Sequence, residues 1–317
     1  MSKKVVVIGG GTGVFTVLTG LKKYPYELSA IVSMADDGGS TGLLREEFGT
    51  LPPGDIRRAL VALSNTDNKT VSDLFNYRFK GKGTLSGHSL GNLLLTALEK
   101  ITGGFDTAVQ EAVKILNVQG NVIPVTLKST KLVAELADGR EIRGETNIDI
   151  PKHDGSVPIK RLFLNPEVSA NPAAIQAIKE ADFIILGPGD LYTSILPNLI
   201  IKDITQAINE TSAKVIYVVN IMTKYGETYE FKAHDFVKVI QDHLGKTVID
   251  YSIINTEMPT GEILKRYEED KEEPVVYDEE NFKNGVKVIT GEFLRKGKFL
   301  RHNPQKLAKV LSSIIEE

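Results

Sequence analysis

Several residues that could take part in phosphate or metal chemistry occur in short polar runs of this sequence. Asp36 and Asp37 are adjacent carboxylates in the run Ala-Asp-Asp-Gly-Gly-Ser-Thr-Gly. Such a pair could hold Mg²⁺ through water or accept a hydrogen bond from a sugar hydroxyl, although a surface turn would have the same composition. Asp36 lies about 23 residues after Gly13, near where dinucleotide-binding folds place a ribose-binding carboxylate. We therefore predict a functional role for this pair.

Two further runs contain candidate cations and a candidate acid or base. Arg57 and Arg58 fall in the first turns of a predicted helix, where cations oppose the helix dipole and indicate a nearby anion. Adjacent arginines are also common on solvated surfaces. His88 and Asn92 occur in Gly-His-Ser-Leu-Gly-Asn at the start of an apolar helix, and His88 could donate to a phosphate or transfer a proton, although a single histidine is usually structural. Asp36, Asp37 and His88 are thus the catalytic candidates, and the sequence singles out none of them.

Two glycine-rich turns directly follow apolar runs that are typical of buried strands. The first turn contains Gly10, Gly11, Thr12 and Gly13, and the second contains Gly187, Pro188, Gly189 and Asp190, with Ser194 close behind. Backbone N–H groups at such a turn, where a helix begins, favour a phosphate. The first turn is an incomplete dinucleotide fingerprint, because its third glycine is replaced by Val14 or Thr16 according to the register, and no lysine follows as in a Walker A loop. We predict a diphosphate site, with NAD(P) as an open alternative.

Predicted strands and helices alternate along the chain and must position these residues. The predicted strands are 4–8, 28–34, 121–127, 159–164, 183–186, 214–219 and 248–254; the predicted helices are 14–21, from about 55 to 63, 71–79, from about 90 to 101, 105–116, 172–180, 233–244 and 305–315. This alternation predicts a doubly wound α/β fold with a mostly parallel, Rossmann-like sheet. Residues 132–145 predict an inserted β-hairpin that turns at Asp138-Gly139, and residues 147–158 a mobile loop. We expect one domain, 1–317, with the insertion at about 128–158.

In such a fold the turns that follow parallel strands lie at one edge of the sheet. The two glycine turns should therefore face one crevice, together with Asp36 or Asp37. Asn220 ends a predicted strand and could bind a base or a ribose through its amide. Tyr267 and Arg301 flank the acidic run 268–273 and could stack on or pair with the ligand, whereas the acidic run itself predicts solvated surface.

Composition limits the classes of function. The chain has 317 residues, 38 basic and 41 acidic side chains, a net charge of −3 and no cysteine. The charge argues against a dedicated nucleic-acid binder, and the lack of cysteine excludes disulfides, thiolate metal sites and a cysteine nucleophile. No apolar run of about 18 residues and no signal-peptide pattern is present. We expect a soluble, cytoplasmic protein without a membrane span, which could form a homo-oligomer.

Five motifs, taken in order, resemble those of the YvcK branch of the CofD-like family. They are Val-Val-Val-Ile-Gly-Gly-Gly-Thr-Gly, Ala-Asp-Asp-Gly-Gly-Ser-Thr-Gly, Leu-Pro-Pro-Gly-Asp-Ile-Arg-Arg, Gly-His-Ser-Leu-Gly-Asn and Leu-Gly-Pro-Gly-Asp-Leu-Tyr-Thr-Ser. The resemblance implies a protein associated with growth on gluconeogenic carbon sources and with cell shape, which binds UDP-sugars such as UDP-N-acetylglucosamine. Regulatory protein partners are then also conceivable.

Two hypotheses of different class remain open. In the first, the protein is a regulator that binds a nucleotide sugar and makes no bond. In the second it is similar to the CofD branch, whose members transfer a phosphate-linked lactyl group from a guanosine diphosphate donor with Mg²⁺; Asp36 and Asp37 would then position the metal or the acceptor, and Arg57 or His88 would neutralise the leaving phosphate. A third reading, an NAD(P)-binding protein, depends on the incomplete fingerprint and Asp36.

Overall fold

The computed structural model describes residues 2–65, 69–245, 249–282, 285–295 and 297–317. Within these ranges the strands are β1 (Lys4–Gly9), β2 (Glu27–Val32), β3 (Asn121–Pro124), β4 (Lys131–Leu136), β5 (Glu141–Arg143), β6 (Ile159–Asn165), β7 (Phe183–Leu186), β8 (Lys214–Val218), β9 (Ile249–Asn255) and β10 (Lys287–Gly291). Seven of them form a parallel sheet in the order β10-β9-β8-β7-β1-β2-β3. This confirms the predicted doubly wound α/β fold.

Helices form most of the connections between the strands and pack against the sheet. They are α1 (Gly11–Leu21), α2 (Gly39–Phe48), α3 (Pro53–Leu63), α4 (Lys69–Asn76), α5 (Leu90–Thr102), α6 (Phe105–Ile115), α7 (Glu145–Asp149), α8 (Pro172–Glu180), α9 (Leu196–Leu199), α10 (Lys202–Glu210), α11 (Ala233–Leu244), α12 (Glu262–Glu269) and α13 (Pro304–Glu316), with a π-helical turn at Leu191–Ile195 and a 3₁₀ turn at Glu279–Asn281. The apolar residues of β1 are buried because parallel sheets carry helices on both faces.

The inserted hairpin belongs to a second, smaller sheet. β4 pairs antiparallel with β5, which confirms the predicted hairpin, and β6 pairs with the other edge of β4. Gly139 has φ +87° at the turn, where a glycine is favoured. The sequence predicts β6 as a strand, but only the fold shows that it joins the hairpin and not the parallel sheet.

Several predicted boundaries are wrong. Residues 147–158 are not simply a mobile loop: Gly144, at φ +94°, ends the hairpin, and α7 begins at Glu145, where the Thr146 N–H donates to Asp37 Oδ1 at 2.9 Å. The run after Asp37 leads directly into α2, a helix that the sequence analysis does not predict because its glycines conceal its helical character. The sequence analysis also does not predict α12 and β10. Of the strand predicted at 248–254, the structure describes the part from Ile249 onwards.

The two glycine turns touch each other because β1 and β7 are neighbours in the sheet. A Cβ atom on Gly13 would lie 1.6 Å from the Pro188 carbonyl oxygen, and one on Gly10 would lie 2.8 Å from Asp55 Oδ2. These glycines therefore have a packing role that is independent of any ligand. The absent side chains allow both turns to lie side by side at the carboxyl edge of the sheet.

We expect Gly13→Ala to lower the free energy of unfolding by about 1–3 kcal/mol, because the added methyl group must displace the Pro188 backbone. Urea denaturation followed by circular dichroism measures this. The matched control is Gly83→Ala, since a Cβ atom there meets open space and its effect should stay within about 0.5 kcal/mol. Equal effects of the two substitutions would contradict the assigned contact.

Candidate functional site

A cleft of about 600 Å³ opens at the carboxyl edge of the parallel sheet. Strand order reverses there, since the chain runs from β1 to β2 and β3 on one side and continues from β7 to β10 on the other. Open α/β sheets bind ligands at such a switch point. Of the predicted site residues, the cleft walls contain Gly10, Gly11, Thr12, Gly13, Asp36, Arg57, Arg58, Asn92, Pro188, Gly189, Asp190, Ser194, Asn220, Tyr267 and Arg301. Gly187, Asp37 and His88 are absent from these walls.

The first glycine turn already binds a carboxylate of the protein. Asp55, at the start of α3, accepts the Gly11 N–H at 2.7 Å and the Arg58 guanidinium at 3.1 Å. Thr12 and Gly13 belong to the same first turn of α1, whose N–H groups have no acceptor within the helix. Asp55 thus marks an anion position at the helix start, and Arg58 lies beside it.

The second glycine turn is held by a buried acid that the sequence did not reveal. Glu227 accepts the backbone N–H groups of Tyr192 and Thr193 at 2.9 and 3.2 Å and the Thr193 hydroxyl at 2.8 Å. Burial, together with the charges of Asp190 and Asp149, raises the pKa of Glu227 to about 8. The carboxyl group therefore fixes the π-helical turn that follows Asp190.

The adjacent carboxylates serve different contacts. Asp36 lines the cleft and accepts the Gly38 N–H at 2.9 Å, whereas Asp37 holds α7 through Thr146. Burial and the charge of Asp55 raise the pKa of Asp36 to about 6. Among the residues that the structure describes, no group of three or more histidine, aspartate or glutamate side chains could hold a metal ion. Because Mg²⁺ is commonly held by one or two carboxylates together with ligand phosphates, Mg²⁺ at Asp36 and Asp37 stays a prediction.

The two arginines also divide their roles. Arg57 is buried and donates to Asn92 Oδ1 at 3.0 Å and to Asn76 Oδ1 at 2.7 Å. Burial, with the charges of Arg58 and Arg78, lowers the pKa of Arg57 to about 10. Through these bonds the Arg57 guanidinium holds parts of the cleft wall in place. The side chain of Arg58 is 38% exposed and can contact a ligand in the cleft.

A buried polar network lies behind the same wall. The hydroxyl of Ser40 lies 3.0 Å from His88 Nδ1 and accepts the Asn92 amide at 3.3 Å. Ser40 lines the cleft, whereas His88 lies behind it. This arrangement pairs a hydroxyl with a potential base, which is also what a structural network of buried polar groups requires.

Lys224 lines the cleft and joins three separate parts of the chain. Its ammonium group lies 3.3 Å from Asp149 in α7 and 3.4 Å from Glu272, which follows α12. Burial opposes its charge, but Asp149, Asp190 and Glu272 outweigh burial and raise the pKa of Lys224. The prediction that residues 268–273 are all solvated surface is therefore wrong at Glu272, which is half-buried in an ion pair.

The cleft contains functional candidates that sequence reasoning missed: Ser40, Thr41, Asp55, Glu145, Lys224, Glu272 and His302. Ser40, Thr41 and Asp55 had a usable signal, since all three lie within the quoted motifs. The others reach the cleft through tertiary contacts. Glu145 illustrates what these tertiary contacts do to a side chain: burial and the charges of Asp36 and Asp149 raise its pKa to about 9.

Fold and cleft together define a doubly wound α/β protein with its candidate ligand crevice at the switch point. The family described as 2-phospho-L-lactate transferase CofD matches residues 5–294. The gluconeogenesis factors of Bacillus subtilis and Listeria innocua are 44% and 45% identical to this chain, covering 99% and 98% of it and 98% and 95% of their own lengths. A crystal structure of a UPF0052-family protein from Bacillus halodurans is 41% identical, with a TM-score of 0.92 over 98% of this chain and 99% of that chain. The chain belongs to the CofD family, in the branch of the gluconeogenesis factors that is also called YvcK.

Among the described residues, no helix has the length and apolar character that crossing a bilayer requires.

We expect Glu145→Gln to raise the free energy of unfolding at about pH 8 and to leave it unchanged near pH 4. The wild-type carboxyl keeps its proton up to about pH 9 when folded, but releases it near pH 4.5 when unfolded. Between these values the native state binds more protons, so wild-type stability falls as pH rises. Glutamine removes this dependence.

Urea denaturation across this pH range measures the effect of Glu145→Gln. Glu141→Gln is the control, because Glu141 forms an exposed ion pair with Arg143 on the same hairpin and its loss should matter little at any pH. A Glu145→Gln protein with the same pH profile as wild type would contradict the buried, protonated carboxyl.

Proposed function

We propose that the protein is a regulator that binds a nucleoside-diphosphate sugar, such as UDP-N-acetylglucosamine, in the cleft without turning it over. The observation that carries this proposal is the meeting of two glycine turns at the switch point, with Arg58 beside them. The proposal assigns the diphosphate to the turns, because they present backbone N–H groups and a helix start. The regulatory role extends to growth on gluconeogenic carbon sources and to cell shape, in the cytoplasm.

Support for the phosphate position comes from Asp55. A carboxylate on the Gly11 N–H occupies the place where the positive end of the α1 dipole attracts an anion. The Arg58 guanidinium contacts the same carboxylate through one nitrogen, and its planar fork retains further donors for phosphate oxygens. A ligand phosphate would use these donors and the N–H groups of Thr12 and Gly13.

Support for a nucleotide sugar comes from the size and composition of the cleft. Its volume of about 600 Å³ is within the range of pockets that bury small ligands. The walls combine hydroxyl and carboxyl groups, which suit sugar hydroxyls, with Tyr267, which suits a base. The relatives named gluconeogenesis factor support the metabolic side of the proposal.

Calorimetric titration with UDP-N-acetylglucosamine, other UDP-sugars, GDP, NAD and NADP tests the proposal, with and without Mg²⁺. We expect a UDP-sugar to bind with micromolar affinity, and its dissociation constant to change by less than about threefold with Mg²⁺, because the proposal assigns the diphosphate charge to backbone N–H groups and Arg58. Failure of every compound to bind at millimolar concentration would eliminate the proposed site.

We expect Arg58→Met to weaken binding of the UDP-sugar about tenfold, or about 1.4 kcal/mol, through loss of a charged phosphate contact. Arg143→Met is the control, because Arg143 is an exposed residue of the small sheet and pairs with Glu141. Calorimetry measures both affinities. Equal affinities of the two variants would show that Arg58 does not contact the phosphate.

One observation favours a second candidate, a transferase of phosphorus-containing groups. The Ser40 hydroxyl and His88 form a close pair at the cleft wall, and the matching family is described as a transferase. A Mg²⁺-dependent release of free nucleotide from a sugar or lactyl donor by the wild-type protein, abolished in His88→Gln, would establish this candidate and overturn the non-catalytic proposal.

A further inference from the structure

β6 is an edge strand of the small antiparallel sheet, and it lines a groove outside the cleft. The strand order β5-β4-β6 leaves β6 paired with β4 on one side only. The groove has a volume of about 720 Å³ and shares no described lining residue with the cleft. Edge strands expose unpaired backbone groups, and proteins usually cover or interrupt them. An open edge beside a groove therefore indicates a surface for another strand.

The register of the sheet shows which backbone groups of β6 face its free side. The Leu132 carbonyl of β4 accepts the backbone N–H of the residue after β5, so the backbone groups of Leu132 point towards β5. Those of Val133 point towards β6, where Val133 pairs with Phe163, because this direction alternates along a strand. The same alternation turns the N–H and C=O groups of Leu162 and Leu164 to the free side. None of these groups has a hydrogen-bond partner among the residues that the structure describes.

The groove has the dimensions of one extended segment. Its lining includes β6 from Arg161 to Leu164, the end of α9, and Thr205, Gln206 and Asn209 of α10. Four residues of strand span about 13 Å. Because α9 and α10 line the same space as β6, a single strand fits beside β6, whereas further strands would meet the helices.

Arg161, at one end of this part of β6, is an exposed cation without an ion pair to any described carboxylate. Its guanidinium lies 5.2 Å from the centre of the Phe163 ring. Glu135, its neighbour on β4, pairs instead with Lys160 at 2.7 Å. A guanidinium with free donors binds a carboxylate well, so a ligand with an acidic side chain at this position is complementary in charge.

We propose that the groove beside β6 binds an extended peptide segment of a partner protein, which becomes the fourth strand of the small sheet and places a carboxylate next to Arg161. The backbone groups of Leu162 and Leu164 provide the main-chain hydrogen bonds that are typical of strand addition. Apolar side chains of the segment pack on Leu199 and Ile200. This binding does not depend on a ligand in the cleft.

The probe for this site is the peptide Ac-Thr-Val-Thr-Val-Glu-Thr-NH₂. In an antiparallel arrangement its valines lie opposite Leu164 and Leu162, and its glutamate lies opposite Arg161. Two altered peptides isolate the contacts. One has methyl groups on the backbone nitrogens of both valines, which removes the donors to the β6 carbonyls, and the other has glutamine in place of glutamate. Calorimetric titration measures the affinity of each peptide.

Two pairs of variants isolate the groups of the protein. Leu164→Pro and Leu164→Ala both remove the leucine side chain, but only proline removes the N–H on the free side. This N–H points away from β4, so proline leaves the hydrogen bonds between β4 and β6 intact. Arg161→Gln removes the cation, and Arg143→Gln is its control, because Arg143 lies on β5 and pairs with Glu141. Thermal unfolding by circular dichroism checks that each variant is folded.

We expect wild type to bind the probe with a dissociation constant below about 1 mM, and both N-methylation and Leu164→Pro to weaken binding at least about tenfold. Leu164→Ala should weaken it by less than about threefold. The glutamine peptide and Arg161→Gln should each lose about threefold, and together no more than either alone, because they remove the same contact. Arg143→Gln should behave as wild type.

The N-methylated peptide is tested on wild type, so the comparison holds even if Leu164→Pro does not fold. Amide hydrogen exchange is a second readout, in which the probe should protect the N–H groups of Leu162 and Leu164.

Equal affinities of the parent and N-methylated peptides, or no binding at about 5 mM peptide, would overturn this proposal. A wild-type dimer that Leu164→Pro converts into a monomer in analytical ultracentrifugation would also overturn it, because a second copy of the chain would then occupy the edge. The nucleotide proposal for the cleft is tested separately, since none of these measurements involves a nucleotide.

Discussion

The close contact between the glycine turns is the constraint on which the cleft depends. β1 and β7 are hydrogen-bonded neighbours, yet they are separated by more than 170 residues of chain, and the turns that follow them meet where Gly13 lies against the Pro188 carbonyl. A side chain at Gly13 would separate them. Because the α1 N-terminus and the π-helical turn at Leu191–Ile195 both begin here, this one contact sets the relative position of both helix starts.

The charged groups of the cleft are not evenly distributed but are arranged around these turns. Asp55 and Glu227 satisfy backbone donors of the two turns, so each turn is held from behind by a carboxyl group from a distant part of the chain. Burial, together with the charges of neighbouring acids, raises the pKa values of Asp36, Glu145 and Glu227. An anionic ligand would therefore enter a cleft in which several acids retain protons more readily than in water.

The small antiparallel sheet contributes to the cleft through α7. Asp37 holds the start of α7, and Lys224 holds its end through Asp149, so this insertion is tied to the ends of β2 and β8. Tyr225 and Gly226 also bond to Asp154 and Gly155. The insertion thus forms a wall of the cleft, and the parallel sheet alone would leave the β2 side open.

The sequence by itself determined the class of fold and the location of the cleft. Apolar runs that pass directly into glycine turns specify parallel strands, and the turns after such strands share an edge, so Gly10–Gly13, Asp36 and Asp190 could be assigned to one crevice. The local sequence pattern could not distinguish the role of Asp36 from that of Asp37, or the role of Arg57 from that of Arg58. In each pair the two residues are of the same type and differ only in their tertiary contacts. The tertiary structure alone determined the placement of Glu145, Glu227, Lys224 and His302. Their environments arise from contacts between segments far apart in the chain, which no local periodicity encodes.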